Sequence, residues 1–202
     1  MSYPVSFEAD YAERRSRLSA FFRLILAIPH AILLYIFGIA AGVLVVIAWF
    51  AIVITGRYPK GLYDFASGFV RYLSRFVAYT ALLTDAYPPF NGSDDASYPV
   101  RMSFAGPLER YSRLKTFFRA ILAIPIMVLR YVMTLMLEIG AVAAWFIILV
   151  TGRMPRGLFD LMVLANSYTA RSDAYLFLLT ETYPPFQDEH TRGAGVASQQ
   201  PG

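Results

Sequence analysis

The apolar positions of this chain are concentrated in two long stretches that are almost free of charge. Residues 24–56 contain no Asp, Glu, Lys or Arg, and residues 120–152 contain only Arg130 and Glu138. Apolar runs of this length are typical of membrane-embedded segments, because one helix needs about 20 apolar residues to cross the hydrocarbon core. The pattern therefore predicts a membrane protein.

Each stretch is too long for one upright helix, so we predict that it forms a helical hairpin. The first apolar run, Leu18–Ile54, has 37 residues. A turn near Gly38–Gly42 would divide it into two short spans, and basic residues at both ends of the run place both ends on the cytoplasmic side. Two such hairpins give four spans. The alternative is one long, tilted helix with a kink at Pro29.

Each apolar run is followed by a segment with the pattern of an amphipathic helix, Leu62–Leu83 in the first case and Leu158–Leu179 in the second. Carrying arginines through the bilayer centre would cost about 2.5–3.5 kcal/mol each. We therefore predict that these helices lie in the membrane interface, where Arg71, Arg75 and Arg171 contact lipid headgroups. The alternative is that their aromatic stripe packs on the preceding hairpin.

The two halves of the chain are copies of one unit. An ungapped alignment of Glu13–Phe90 with Glu109–Phe186 gives 38 identities in 78 positions, which marks an internal duplication. The predicted fold class is an all-α membrane protein with two tandem repeats. Each repeat would be a transmembrane hairpin followed by an interfacial helix.

The duplication divides the chain into four parts. Repeat 1 covers residues 1–90, a polar linker covers 91–97, and repeat 2 covers 98–186. The tail at 187–202 is polar, glycine-rich and without periodicity, so we predict that it is disordered.

The repeated motifs point to a known family. Both copies contain TGR-x-P-[KR]-GL, at Thr55–Leu62 and Thr151–Leu158, and both end on LLT-[DE]-x-YPPF, at Leu82–Phe90 and Leu178–Phe186. These motifs resemble those of an uncharacterised family of small bacterial membrane proteins, a domain of unknown function that is common in actinobacteria. The resemblance implies a bacterial cell-membrane location and brings no known activity, cofactor or catalytic residue.

The charged residues of the motifs suggest contacts at the membrane surface. Arg57 and Arg153 follow a glycine that can end a helix, and their side chains can reach lipid phosphates. The alternative is that the motif only ends one helix and begins the next. The acid of the second motif, Asp85 or Glu181, could pair with a nearby arginine such as Arg57 or Arg153.

The composition agrees with membrane embedding and offers no chemistry for catalysis. Hydrophobic residues make up 57% of the chain and charged residues 16%, against about 45–50% and 25% in soluble domains. The chain has no cysteine and two histidines, and it contains no nucleophile, phosphate-binding or metal-binding motif. We therefore predict no enzyme activity, catalytic residue, metal or cofactor. The basic residues flank the apolar runs, so no nucleic-acid binding is predicted.

The ionisable residues inside the second apolar run are the strongest functional signal. Arg130 and Glu138 replace Leu34 and Gly42 of the first copy, and ionisable groups within a membrane usually serve a function. They are about 12 Å apart along a helix, so direct pairing is not expected. One hypothesis is that they bind polar groups on another protein's helices. The other places Glu138 in the hairpin turn, near the outer headgroups.

These features favour a non-enzymatic accessory or stabilising subunit of a larger membrane complex. A transporter, for instance one that moves lipids, is the first candidate for that complex. The alternatives are a stand-alone lipid-binding or bilayer-shaping protein and, with less support, a small carrier or channel. The expected partners are membrane lipids and other integral membrane subunits. The expected location is the bacterial inner membrane, with several crossings and both termini in the cytoplasm.

Overall fold

The computed structural model describes residues 3–186 and shows a mostly helical protein with one two-stranded sheet. Each copy contributes a strand, a long apolar stretch of helix and a shorter helix. The elements in chain order are β1 (Val5–Ala9), α1 (Arg17–Thr55), α2 (Lys60–Thr80), β2 (Val100–Phe104), α3 (Arg113–Phe117), α4 (Arg119–Thr151) and α5 (Arg156–Leu176). The tail at 187–202, for which we predicted disorder, lies outside the described residues.

Each predicted hairpin is in fact a single helical stretch. α1 is continuous over 39 residues, about 58 Å at 1.5 Å per residue, and the predicted turn at Gly38–Gly42 is helical. Isolated glycines weaken a helix by only about 1 kcal/mol each, and the surrounding Ile, Ala, Val and Leu side chains continue it. In the second copy the equivalent stretch is interrupted only at Phe118, between α3 and α4. The prediction of four spans is therefore wrong.

Two helices, α1 and α4, are long and apolar enough to cross a membrane. In their most apolar windows only 17% of α1 and 28% of α4 is buried, whereas the core helix of a soluble protein is mostly buried. Large apolar side chains are exposed along both helices, from Leu18 (70%) to Ile54 (67%) in α1 and from Ile121 (62%) to Val150 (75%) in α4. Continuous exposed apolar surface of this kind marks contact with a membrane or a partner.

The long helical stretches begin and end with the same local signals in both copies. The Ser16 hydroxyl accepts a hydrogen bond from the Ser19 amide at the start of α1, and Ser112 caps α3 in the same way. α1 and α4 end at glycines in the left-handed conformation, Gly56 with φ 74° and Gly152 with φ 70°. Glycine adopts this conformation without a steric penalty. The predicted helix end at the TGR motif is confirmed.

The shorter helices α2 and α5 each bury at least one side against the rest of the protein. α2 packs along α1 through Tyr72 and Tyr79, which are each 1% exposed, while Arg71 and Arg75 contact β2. α5 packs on α4 and on β1. The prediction of interfacial helices is therefore wrong, because β2 and the linker cover the polar side of α2. The alternative, packing of the aromatic stripe on the preceding apolar segment, is what the structure shows.

The sheet joins the N-terminal strands of the two copies. β1 and β2 run antiparallel, with Val5 opposite Phe104. At the centre of the sheet Phe7 lies opposite Met102, its equivalent in the second copy, so a local two-fold axis passes between these residues. β1 packs on α5 and β2 packs on α2, so each strand completes the other copy. The predicted all-α class did not include this sheet.

The ends of the long helical stretches are joined by backbone hydrogen bonds at two junctions. At the first junction the Arg15 amide, just before α1, donates to the Gly152 carbonyl at the end of α4 (3.0 Å). At the second junction the Tyr111 amide, just before α3, donates to the Gly56 carbonyl at the end of α1 (2.9 Å). α1 therefore begins beside the end of α4 and ends beside the start of α3, so the two stretches are antiparallel.

The two tryptophans make equivalent contacts near these junctions. The Trp49 indole donates to the Thr116 carbonyl (2.8 Å), and the Trp145 indole donates to the Ala20 carbonyl (3.2 Å). Since Ala20 and Thr116 are equivalent positions of the duplicated unit, the two hydrogen bonds are related by the two-fold axis. Each copy thus fastens the other at both ends of its long helical stretch.

Candidate functional site

The structure pairs Arg130 with an acid of its own chain. The Arg130 guanidinium on α4 contacts the Asp173 carboxylate on α5, with 2.8 Å between Nη2 and Oδ1. The Arg130 side chain is 36% exposed and the Asp173 side chain 8%. Burial raises the pKa of Asp173 to about 6, and the nearby positive charge of Arg130 opposes this rise. This internal ion pair removes the reason for expecting a contact of Arg130 with another protein.

Glu138, in contrast, has no ion pair or side-chain hydrogen bond within residues 3–186. It is exposed near the middle of α4, where the helix is continuous, so the predicted place in a hairpin turn is wrong. Exposed apolar side chains surround it on the same face, at Tyr131 (65%), Leu135 (39%) and Val142 (58%). A carboxylate on an apolar face loses its hydration when that face is covered, so Glu138 is the strongest candidate for contact with another molecule.

The acid of the LLT-[DE]-x-YPPF motif joins the end of α2 to the start of α1. Asp85 accepts a hydrogen bond of 2.5 Å from Arg23, which is 2% exposed. Arg23 also donates to the carbonyls of Tyr79 and Thr84, at 2.6 Å each, and its guanidinium lies over the Tyr79 ring. The hypothesis that this acid pairs with an arginine is therefore confirmed for Asp85, but the arginine is Arg23 and not Arg57.

The second copy repeats this arrangement in part. Glu181 accepts a hydrogen bond of 2.6 Å from the Ser112 amide. Arg119 donates to the Thr180 carbonyl at 2.9 Å, and its guanidinium lies 3.9 Å from the centre of the Tyr175 ring. The repeated FFR motif was the sequence signal for these arginines, but the residues that contact them lie about 60 positions further along the chain. The acids therefore hold helix ends together.

Three of the arginines for which we predicted lipid contacts are buried or nearly so. The Arg71 side chain is 11% exposed and donates to the Met102 carbonyl (2.8 Å). Arg75 is fully buried and donates to the Val100 carbonyl (3.3 Å). Arg171 is 1% exposed and donates to a carbonyl of its own helix. Lipid headgroups cannot reach these side chains, so their predicted role is wrong.

Arg57 and Arg153 are exposed at the ends of α1 and α4. The Arg153 side chain is 65% exposed and lies 3.5 Å from Glu13. Such an exposed pair contributes only about 0–1 kcal/mol and leaves the guanidinium accessible. Further exposed basic residues lie at or next to the two junctions, namely Arg14, Arg17, Lys60, Arg110 and Arg113. Contact of Arg57 and Arg153 with lipid headgroups remains a prediction.

A groove lies between α1 of the first copy and α4 of the second. It holds about 350 Å³, and its lining includes Leu24, Val142, Trp145 and Phe146. This volume is at the lower end of the range of about 300–1,000 Å³ found for small-molecule sites. The buried Arg23 is the charged group of its lining. The largely apolar lining suits a hydrocarbon chain better than a polar solute.

The described residues hold no arrangement for metal binding. Within residues 3–186 no group of three or more His, Asp or Glu side chains is placed to hold an ion. His30 is fully buried, with Nδ1 2.6 Å from the Tyr72 hydroxyl and its ring stacked on Phe90. His30 is thus hydrogen bonded to the neighbouring helix α2. The second copy has Ile126 at this position, so the contact belongs to the first copy alone.

The fold and these contacts define a duplicated, mostly helical protein whose polar and charged groups hold the two copies together and whose long helices expose a large apolar surface. The chain belongs to the family described as Domain of unknown function (DUF4389), whose model matches residues 17–91 and 113–187. The resemblance to a domain of unknown function in two tandem copies is thus confirmed. No curated protein and no solved structure matches the chain.

Proposed function

We propose that this chain is a non-enzymatic membrane protein that acts as an accessory or stabilising subunit of a larger membrane complex. The observation that carries the proposal is the exposed, unpaired carboxylate of Glu138 on the apolar face of α4. In a lipid environment this carboxylate would lack hydrogen-bond donors, whereas a partner helix can supply one. The first copy has Gly42 at the same position, so the polar group marks one face of the protein only.

The partner that suits this face is an integral membrane subunit whose apolar helix carries an Arg, Lys or other hydrogen-bond donor. Such a side chain would satisfy Glu138, while the surrounding apolar residues pack against the partner helix. A complex that moves lipids is our first candidate, because the groove between the copies is suited to an acyl chain. The exposed basic residues at both junctions favour the cytoplasmic side of a bacterial inner membrane for both junctions.

Copurification of the tagged full chain in mild detergent tests the proposal, with mass spectrometry to identify what remains bound. We expect one membrane protein at a stoichiometric ratio. Glu138→Gly introduces the residue of the first copy and should reduce the retained partner by about three- to thirtyfold, since a hydrogen bond within a membrane contributes about 0.6–2 kcal/mol. Glu138→Gln keeps hydrogen-bonding capacity and should lose less.

Glu109 provides a matched control, because it is an exposed acid outside the long apolar helices. Glu109→Gln should leave copurification unchanged. A chain that purifies alone as a monodisperse species, or a Glu138→Gly variant that retains its partner in full, would refute the docking role.

A stand-alone lipid-binding or bilayer-shaping protein is the second candidate function. It is favoured by the groove between the copies and by the exposed apolar surface of α1 and α4. The purified chain should then bind vesicles without another protein and retain a defined lipid class after detergent extraction. Lipid analysis of the purified protein distinguishes the two functions. Retention of one defined lipid class supports the stand-alone lipid-binding protein, whereas retention of bulk lipid together with a protein partner supports the accessory subunit.

A further inference from the structure

The apolar face of α1 is longer than a bilayer is thick. Leu18, Ile36 and Ile54 are spaced by 18 residues, which is five helical turns, so they lie on one face of the helix. All three are exposed, at 70%, 56% and 67%. The first and last are about 54 Å apart along the helix, whereas the hydrocarbon core is about 30 Å thick. A spanning helix that kept both in hydrocarbon would need a tilt of roughly 56°, outside the usual range of about 0–40°.

The chain that connects the two junctions is short and polar. Phe7, at the centre of the sheet, is eight residues from Arg15 at the first junction, and Met102 is nine residues from Tyr111 at the second. If α1 crossed a bilayer, the junctions would lie on opposite sides. Since the local two-fold axis relates the junctions and passes through the sheet, the sheet would then lie near the middle of the bilayer, and each connection would have to cross about half of the 30 Å hydrocarbon core as an extended chain.

Such a crossing is unfavourable for the backbone and for the side chains. Extended backbone exposed to lipid leaves its amide and carbonyl groups without hydrogen bonds, and it does not occur in the hydrocarbon region. The sheet itself exposes charge, since Glu8 and Asp10 are 53% and 57% exposed beside Arg101. Each charge at the bilayer centre costs about 2.5–3.5 kcal/mol. The sheet therefore belongs in water, and both junctions lie on the same side of the membrane as the sheet.

The geometry points to a monotopic arrangement, in which the apolar faces of α1 and α4 enter one leaflet of a bilayer and neither helix crosses it. α2 and α5 lie between the long helices and the sheet, and the sheet faces water. The basic residues at the two junctions then lie at headgroup level at both ends of each long helical stretch. This inference rests on the membrane location in the proposed function, but it does not depend on the docking partner.

The two-fold relation between the copies agrees with this arrangement. The long stretches are antiparallel, so the axis that relates them is perpendicular to their length, and it also passes through the centre of the sheet. With the helices lying in the membrane plane, this axis runs along the membrane normal. Both copies then present their apolar faces to the same leaflet, and both junctions lie at the same depth.

Labelling of single cysteines tests the arrangement directly, because the chain contains no cysteine of its own. Arg14→Cys and Arg110→Cys place an exposed thiol at each junction. We expect that a membrane-impermeant maleimide labels neither in intact cells and both in inverted membrane vesicles. Labelling of one from outside and of the other only in inverted vesicles would show a crossing and overturn the inference. Labelling of both from outside would support the in-plane arrangement and contradict the cytoplasmic location.

Depth measurement provides a second test that does not depend on the orientation of the protein. Spin labels at Leu18→Cys, Ile36→Cys and Ile54→Cys, in the full chain reconstituted into lipid vesicles, should all report about 5–10 Å below the headgroups. A label at Glu8→Cys should remain accessible to a water-soluble relaxation agent. Labels at the two ends of α1 that lie in opposite leaflets, or in water with Ile36 at the bilayer centre, would overturn the inference.

Discussion

Arg130 and Asp173 form an ion pair between α4 and α5 of the second copy, with 2.8 Å between the charged atoms. The equivalent residues of the first copy are Leu34 and Val77, which are both apolar. Equivalent helix pairs therefore carry an ion pair in one copy and two apolar side chains at the same positions in the other. This difference allows the contribution of the ion pair to stability to be measured against a substitution that the fold already contains.

Removing one partner of this ion pair should destabilise the protein. Arg130→Leu leaves the Asp173 carboxyl group buried without a positive charge, so this group takes up a proton at neutral pH, and we expect a loss of about 1–2 kcal/mol in the free energy of unfolding at pH 7. The double variant Arg130→Leu/Asp173→Val reproduces the apolar pair of the first copy and should recover most of this loss. Denaturant unfolding in detergent micelles gives both values. A double variant as unstable as the single one would contradict the argument.

The same pair predicts a dependence of stability on pH. Burial raises the pKa of Asp173 to about 6, whereas an unfolded aspartate has a pKa of about 3.9. The folded state therefore binds the proton more tightly, so the free energy of unfolding should fall as the pH rises from about 4 to about 6, with a slope of up to about 1.4 kcal/mol per pH unit. Above pH 6 this contribution is constant.

Comparison with a variant isolates that effect from other carboxylates. Arg130→Leu/Asp173→Val lacks the titrating group, so the difference between its unfolding curves and those of the original chain should appear between about pH 4 and about pH 6. The hydrogen bond from Arg101 lowers the pKa of Asp10, so that group acts in the opposite direction and below about pH 4. Parallel pH profiles for the two proteins would show that Asp173 does not titrate in this range.

The acid of the repeated LLT-[DE]-x-YPPF motif should matter for stability. Asp85→Asn removes the charge that Arg23 contacts at 2.5 Å, and hydrogen bonds to charged groups contribute about 1.5–3 kcal/mol. Asp94→Asn is a suitable control, because Asp94 is 65% exposed and lies 3.9 Å from Arg71, a geometry that contributes at most about 1 kcal/mol. Thermal unfolding of both variants should therefore rank Asp85→Asn as clearly the less stable. Equal effects would argue against the structural role of Asp85.

The linker should tolerate no side chain at Gly92. A Cβ atom at this position would lie 2.0 Å from the Gly68 carbonyl oxygen of α2, which forces a backbone shift and costs about 1–3 kcal/mol or more. Gly61→Ala is the matched control, because no atom lies within 4 Å of its added Cβ, and alanine near a helix start is favourable. We expect a lower midpoint of thermal unfolding for Gly92→Ala and an unchanged or higher one for Gly61→Ala.

Arg57 and Arg153 should contribute to binding of anionic lipid. Each exposed basic residue near a membrane surface contributes about 1 kcal/mol, so Arg57→Gln/Arg153→Gln should weaken the affinity for phosphatidylglycerol-containing vesicles by about thirtyfold. Arg57→Lys/Arg153→Lys keeps the charge and should bind almost normally. Vesicle cosedimentation at low and high salt measures both variants. Equal binding by the two double variants would show that the charges of Arg57 and Arg153 do not contribute to lipid binding.

The helix pattern could be predicted from the sequence, but the path of the helices could not. The positive charges at both ends of the first apolar run correctly separated it from the following motif, and Gly56 correctly marked its end. The same charges also predict a turn at Gly38–Gly42, because a transmembrane segment with both ends on one side of the membrane must form a hairpin. The backbone hydrogen bonds of Arg15 and Tyr111, which show how both ends are tied together, join residues too far apart for periodicity to reveal.

The contacts of the candidate site could likewise be predicted only in part from the sequence. Arg75 lies on the polar side of an amphipathic helix, a pattern equally typical of a helix that faces water and of one covered by a strand. Its contact with the Val100 carbonyl depends on a strand that follows the linker. Glu138 can be recognised from the sequence, because it is an acid within an apolar run and the first copy has Gly42 at the equivalent position. The partner of Arg130 could not be recognised in this way, because Asp173 lies on a different helix, α5, 43 residues further along the chain.

The exchange of strands between the copies implies that one copy cannot stand alone. A chain with a single copy would carry a strand with unpaired backbone groups and a shorter helix with an uncovered side, and an exposed strand edge of this kind pairs readily with another chain. It would complete itself by assembling with an identical molecule into a symmetric dimer. The present protein contains both halves of such a dimer in one polypeptide. Because the two halves are encoded separately, their sequences can differ, and Glu138 and the Arg130–Asp173 pair occur in the second copy only.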